Sequence, residues 1–393
     1  MNTRDGAGRA WPAEWKESRD SETGVRIRQL TDYRGHSYHL YFTNPGWYDG
    51  GKSLLFASDR DNRTNLFSLR LADGVITQLT DEEWDSPPYF LNTSISPVKD
   101  EACFWNGRKL TALDLAGGGL RVIYEAPPGW HMTITSVTAD GRFACAALYE
   151  DFTSRGITLE EGYLNFARQF EAGPRSFIIK AATDGSGART IFEEKAWVGH
   201  VNASPLHPNL ATYCHEGPWD RVDQRIWGID LDTGRTWKIR PTSKGELAGH
   251  EYWLKDGDHV AYHGGINDKP MYGCIKWDNT GKVEAEFPFG SEHFHSNSLD
   301  LIVGDGEAAD PINLRPARDF ILLWRFRNGV FEGPRRLLRH RGSFHVQAVH
   351  AHPCITPDGK QVLYTSDRTG YGNIYLADLP EFESLPEGAG PAK

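Results

Sequence analysis

Short runs of alternating apolar and polar residues recur along the whole chain, in pairs joined by a tight turn. Four to six alternating residues, an Asp/Asn-Gly-type turn and a second short run appear as NLFSLRLADGVITQLT (65–80), RKLTALDLAGGGLRVIYE (108–125) and SFIIKAATDGSGARTIFEE (176–194). They return as QRIWGIDLDTGRTWKIR (224–240), MYGCIKWDNTGKVEAEFP (271–288) and DFILLWRFRNGVFEGPRRLL (319–338). A period of two predicts strands, and the turn residues predict hairpins. A seventh copy is half present as GNIYLADLP (372–380), and GVRIRQLTD (24–32) supplies its other half from the far end of the chain. Each copy follows an apolar strand with its own turn, from YDGGKSLLFAS to PDGKQVLYTS. Seven such pairs predict an all-β, seven-bladed β-propeller whose N-terminal strand joins the last blade and closes the ring. A double β-sandwich leaves the fixed two-hairpin period unexplained. The expected boundaries are an N-terminal extension at 1–23, one propeller at 24–380 and a C-terminal tail at 381–393. Residues 150–174 break the pattern, and the spacing in LEEGYLNFARQF predicts a short helical insertion.

Composition changes the picture in three places. The 41 Gly and 22 Pro among 393 residues fit many short turns. No apolar run reaches the length of a membrane-spanning helix, and the N-terminus MNTRDGAGRAWPAEWKESRD lacks the apolar stretch of a signal peptide. Five scattered cysteines without CxxC spacing fit a reducing compartment, so a cytoplasmic location is expected. A formal charge of −10 with no Lys/Arg cluster argues against nucleic acid as a partner, and no membrane partner is expected. An acidic ligand would need a locally positive pocket.

Candidate chemistry comes from histidine. Nine of the 15 histidines fall just before the apolar strand that opens a blade: His36, His39, His131, His200, His250, His293, His295, His350 and His352. In a propeller these positions converge on the axis, which makes a metal or proton-transfer site the default expectation. The sharpest element is Gln347-Ala-Val-His350-Ala-His352. Read as a strand, it points His350 and His352 to one face. With His293 from the neighbouring blade, the expected ligand set is three imidazoles and the Gln347 amide oxygen. That set suits Mn2+, while Zn2+, Co2+ or Ni2+ would also bind.

Other motifs carry no chemistry. GWYDGGKS (46–53) fits the P-loop pattern but runs into Leu54, Leu55 and Phe56, a strand rather than the required helix. His215-Glu216 and His250-Glu251 lack the second histidine of a zincin, and no GxSxG occurs.

CHEGPWDRVDQRIW (214–227), GHEYW (249–253), the histidine of SEHFHSN with the following VGDG, and QAVHAHP (347–353) resemble the oligogalacturonate lyase family in order and spacing. That family comprises intracellular seven-bladed-propeller lyases of pectin fragments. The likeness spans nearly the whole chain and is strongest over 196–380. It implies manganese on His293, Gln347, His350 and His352, a general base at His250 and a catalytic arginine at Arg225. It also implies β-elimination on a short acidic oligosaccharide such as digalacturonate. His200, His215, Arg221 and His36 are expected to line the substrate pocket. Blander readings make His250 a satisfied pocket histidine and pair Arg225 with Asp220 or Asp223. The rival functions are the same elimination on another uronic-acid oligosaccharide, and a non-enzymatic TolB-like propeller that binds a protein partner.

Overall fold

The computed structural model describes residues 6–84, 88–159, 165–288, 290–307 and 319–388. The chain divides into two compact units, Met1–Glu83 with Ala285–Lys393, and Trp84–Glu284.

The first unit holds three antiparallel sheets. One runs Ser37–His39, Ser53–Ser58, Asn65–Arg70, Ile76–Gln78, with Ala10–Trp11 added beside Ile76–Gln78 and Trp47–Tyr48 beside Ser53–Ser58. The second runs Phe294–Ser298, Leu301–Gly304, Phe320–Arg327, Val330–Arg339. The third runs Cys354–Ile355, Gln361–Ser366, Asn373–Asp378, Arg26–Gln29, Lys16–Arg19. Its register sets Ile27 opposite Ala377, so the half-copies from the two ends of the sequence build one sheet. Lys16–Arg19 (KESR) is exposed at every position. A charged outermost strand of this kind discourages pairing with another chain. Residues 10–19 therefore add strands to two sheets.

The second unit holds four sheets of the same plan. They open with Ser94–Ile95, Trp130–Met132, Val198–Ala203 and Glu246–Trp253, and each continues through three further strands, with Ser136–Val137 added beside Phe143–Glu150 in the second. The seven sheets are the blades of a seven-bladed β-propeller, as the hairpin repeat predicts.

Alternation explains how the sheets pack. Along Phe143–Glu150, Ala144, Ala146 and Leu148 join a core with Cys103, Leu110 and Ala112 of the preceding sheet. The intervening Cys145 and Ala147 join a core with Val198, Ala211 and Tyr213 of the following one. One strand with a period of two thus serves two cores. The turns repeat as well. Thr138 and Thr356 donate to the Oδ1 of Asp140 and Asp358, which also accept the amides of Arg142 and Lys360. Both are Asp-Gly turns in which the carboxylate replaces a backbone acceptor. All five cysteines are buried and free.

The insertion contains a 3-10 turn at Thr153–Arg155 and an α-helix at Phe166–Ala172. A helix thus falls within the expected insertion, and residues 160–164 of the run LEEGYLNFARQF lie outside the described ones. The helix sets Phe166 against Trp197 and Glu171 on Arg221. Among the described residues no helix is long and apolar enough to cross a membrane.

Candidate active site

In the first unit His293, His350 and His352 come together, all buried, each offering a ring nitrogen within 4.8 Å of the others. His293 lies just ahead of Phe294–Ser298, the opening strand of its sheet. The HxH segment departs from the expected strand. Gln347–Val349 is a 3-10 turn, His350 is extended and His352 takes φ 41° in the left-handed region. Local bending, rather than strand alternation, turns the two rings to a centroid separation of 5.6 Å. The rings of His293 and His352 are closer, at 4.4 Å. Gln347 Oε1 lies 3.2 Å from His352 Nε2, so the amide joins the group as expected.

Hydrogen bonds decide which nitrogen each ring presents. His293 Nδ1 bonds Asp305 Oδ2 at 2.8 Å, so Nε2 is the ring nitrogen that could serve a metal ion. Asp305 is fully buried and also accepts from Ser291 Oγ and the His293 amide. Burial works against its charge, but His293 beside it holds the carboxyl below its ordinary range. His350 donates Nε2–H to the Phe344 carbonyl at 2.9 Å, and its Nδ1 is buried with no hydrogen-bond partner. Glu292 Oε2 stands 3.8 Å from that nitrogen. Burial, followed by neighbouring His293, pushes His350 down to about 4, so the imidazole is neutral. A neutral imidazole with an orphaned Nδ1, two further imidazoles and an amide oxygen are a donor set that a borderline divalent cation takes. The residues therefore fit a metal ion. Tyr41 and Phe42 wall the group, their rings 5.0 Å from His352 and 5.5 Å from His293.

His39 and His295 belong to the frame around these ligands. His39 is buried, its Nε2 on the His352 carbonyl and its Nδ1 on Thr365 Oγ1. His295 accepts the Ile355 amide. His36, on the same unit, accepts the Gly372 amide and packs against Tyr371.

Exchanging Asp305 for asparagine should weaken divalent-metal affinity roughly 10- to 100-fold, since such partners fix the ligand's tautomer. Calorimetric titration of the metal-free variant measures this.

In the second unit a separate cluster surrounds Arg225. Arg225 is only 5% exposed. Its Nη1 donates to Glu216 Oε2 at 3.1 Å, and its Nε lies 3.7 Å from Glu251 Oε2. It also lies over the Trp219 ring, 5.4 Å from the centroid. Arg225 thus pairs with Glu216 and Glu251, rather than with Asp220 or Asp223. Burial opposes its charge, yet Glu216 holds the guanidinium above its ordinary value. Burial likewise opposes the Glu216 charge, and Arg225 and then His200 hold that carboxyl well below its usual range. Burial pushes Glu251 up. His200 Nε2 bonds Glu216 Oε1 at 3.0 Å. His200, Cys214 and Glu216 also stand close enough to hold an ion. Glu216 is already committed to Arg225, however, and burial keeps Cys214 protonated, which favours an arginine clamp over a second metal centre.

His200 and His250 reach this region by one device. Each follows a glycine in a β-bulge and takes a positive φ, 46° and 49°. A Cβ on Gly199 would meet Glu216 Cγ at 2.9 Å, and one on Gly249 would meet Arg225 Cδ and Nε at 2.7 Å. The glycines let the clamp lie against the backbone of the bulge, and the extra residue re-aims the imidazole. Gly249→Ala should cost about 1–3 kcal/mol by overpacking, read as a lower denaturant midpoint, together with a fall in kcat as Arg225 is displaced.

His250 Nδ1 lies 3.0 Å from His263 Nε2, and Trp219 packs edge-on against His250 at 5.2 Å. Two expected pocket residues are engaged elsewhere. His215 bonds Glu194 Oε1 and packs on Trp227, and Arg221 is held by Glu171 and Phe170. Sequence reasoning passed over Asp305, Glu216, Glu251 and His263. The first stood in view inside VGDG, and the two glutamates in His-Glu pairs set aside as failed zincin motifs.

A family model described as "Oligogalacturonate lyase" matches residues 6–383. An oligogalacturonide lyase from Pectobacterium atrosepticum is 28% identical over 95% of this chain and 98% of its own length. An oligogalacturonate lyase from Dickeya dadantii is 27% identical over 92% and 95%. Among solved structures, an oligogalacturonate lyase in complex with manganese superposes with a TM-score of 0.84 at 26% identity, covering 96% of this chain and 99% of that one. The oligogalacturonate lyase of Vibrio parahaemolyticus also gives 0.84, at 25% identity over 95% and 99%. The chain belongs to the oligogalacturonate lyase family.

Proposed function

We propose that this protein is a manganese-dependent lyase that cleaves short oligogalacturonides, digalacturonate among them, by β-elimination. The observation that carries the reading is the buried group of His293, His350, His352 and Gln347, with the orphaned Nδ1 of His350, in a chain of this family. Three imidazoles and an amide oxygen would hold the ion without adding negative charge, so its charge would be available to a substrate carboxylate.

The C5 proton of a uronate lies α to a carboxylate and is too weakly acidic for an unaided imidazole. A bound divalent cation drains charge from that carboxylate and lowers the barrier to enolate-like character. His250 takes the proton near neutral pH, where imidazole is partly free base. The C4–O bond then breaks, leaving an unsaturated sugar and a new reducing end. Arg225, charged and fixed by Glu216 and Trp219, supplies positive charge that steadies the developing anion. His200 contributes through Glu216. His36, His215 and Arg221 are assigned to substrate contact, and each is held by a partner, Gly372, Glu194 and Glu171 in turn. The acidic oligosaccharide is the partner, and a cytoplasmic location is supported by five free, buried thiols.

Incubation with digalacturonate and trigalacturonate, followed by ultraviolet absorbance and product analysis, tests the reading. Unsaturated monomer from digalacturonate is the expected product. Turnover confined to another uronide would keep the chemistry and change the substrate, and saturated products would exclude β-elimination.

A further inference from the structure

The proposed base is one half of a histidine pair. His263 stands on His259–Ile266, the strand next to the one that carries His250, and the sheet register sets it opposite Gly249. The bulge after Gly249 swings His250 back over this neighbour, and Nδ1 meets His263 Nε2 at 3.0 Å. Trp219 touches both rings, 5.2 Å from His250 and 5.5 Å from His263, and so holds the pair together. Arg225 lies over the same indole, with Glu216 and Glu251 beside the guanidinium.

An N···N hydrogen bond between two imidazoles needs one proton shared between two facing nitrogens. If His263 donates, His250 Nδ1 must accept, and a neutral His250 then carries its proton on Nε2 and cannot use that atom as a base. If His250 donates, its Nε2 bears the lone pair. We infer that His263 is a positioning residue for the lyase reaction: it accepts the Nδ1–H of His250 and so fixes the tautomer whose Nε2 removes the substrate proton. The inference rests on the assignment of His250 as base.

The balance is simple. The C5–H bond breaks and its proton goes to His250 Nε2. The electron pair becomes the C4=C5 bond, and the C4–O pair leaves with the sugar oxygen, which takes a proton from water. The imidazolium returns its proton to the hydroxide so formed. Throughout, His263 holds the Nδ1–H and shares the transient positive charge.

His263→Leu removes the acceptor, whereas His263→Gln puts an amide oxygen within reach of the same proton. With the manganese-loaded enzyme and digalacturonate, His263→Leu should lower kcat about 100-fold with KM within about twofold, and should move the acidic limb of the pH profile. His263→Gln should recover about tenfold of that loss. Nitrogen-15 spectra of the imidazoles should place the His250 proton on Nδ1 in the unaltered enzyme and spread it over both nitrogens in His263→Leu. A His263→Leu enzyme with unchanged kcat and pH profile would overturn the inference, as would a His250 proton found on Nε2. Silence of His263→Leu beside a dead His250→Asn would sink the pair alone, whereas an active His250→Asn would remove the base assignment and the pair with it.

Discussion

His350→Ala should abolish divalent-metal binding and lower turnover of digalacturonate by about 1,000-fold or more. The size follows from two quantities. Lewis-acid stabilisation by a bound metal is worth several kcal/mol, and about 1.4 kcal/mol is a factor of ten in rate. His350 is the proposed ligand whose Nδ1 is buried without a hydrogen bond, and the proposal gives that nitrogen the ion as its partner. The variant also forfeits the Nε2–H bond to the Phe344 carbonyl, which costs about 1–3 kcal/mol of stability if that oxygen stays buried and unpaired. A modest drop in melting temperature should therefore accompany the loss. Metal analysis of the purified variant, set beside kcat, separates the two effects. A folded His350→Ala that keeps stoichiometric metal would place the ion elsewhere.

The second large effect belongs to His250. His250→Asn should reduce kcat about 100- to 10,000-fold, the range for removing a general base, with metal content unchanged. Asparagine is the better probe than alanine because residue 250 has φ 49°, a conformation Asn tolerates and alanine resists. The melting temperature should then stay close to that of the parent. Steady-state kinetics beside metal analysis gives the answer. Wild-type turnover by a metal-loaded His250→Asn would reassign the base.

The same residue shows what the sequence could and could not reveal. Alternation and Asp-Gly turns are local signals, and they marked the hairpins, the two half-copies of the last blade and the opening strands. His293, His350, His352 and Gln347 were readable because a period of seven blades says which residues share a position. Backbone detail was not readable. His200, His250 and His352 all take positive φ, two of them in bulges, and the alternation rule that paired His350 with His352 reached the right pair through the wrong conformation. Groups made by long-range pairing were hidden for a different reason. His263 faces His250 because of sheet register, Asp305 faces His293 across a hairpin, and Glu251 reaches Arg225 from the next blade. None of these has a fixed spacing in the chain. The insertion was legible as a break in the hairpin period, and its described part carries the helix Phe166–Ala172.

Metal content and lyase activity on digalacturonate, measured on one preparation before chelation, after chelation and after return of manganese, test the central claim most directly. The proposal predicts one metal ion per chain, absorbance from unsaturated product that vanishes on chelation, and recovery when manganese is restored. Elimination that persists in metal-free protein, or a chain that binds no divalent metal, would contradict it.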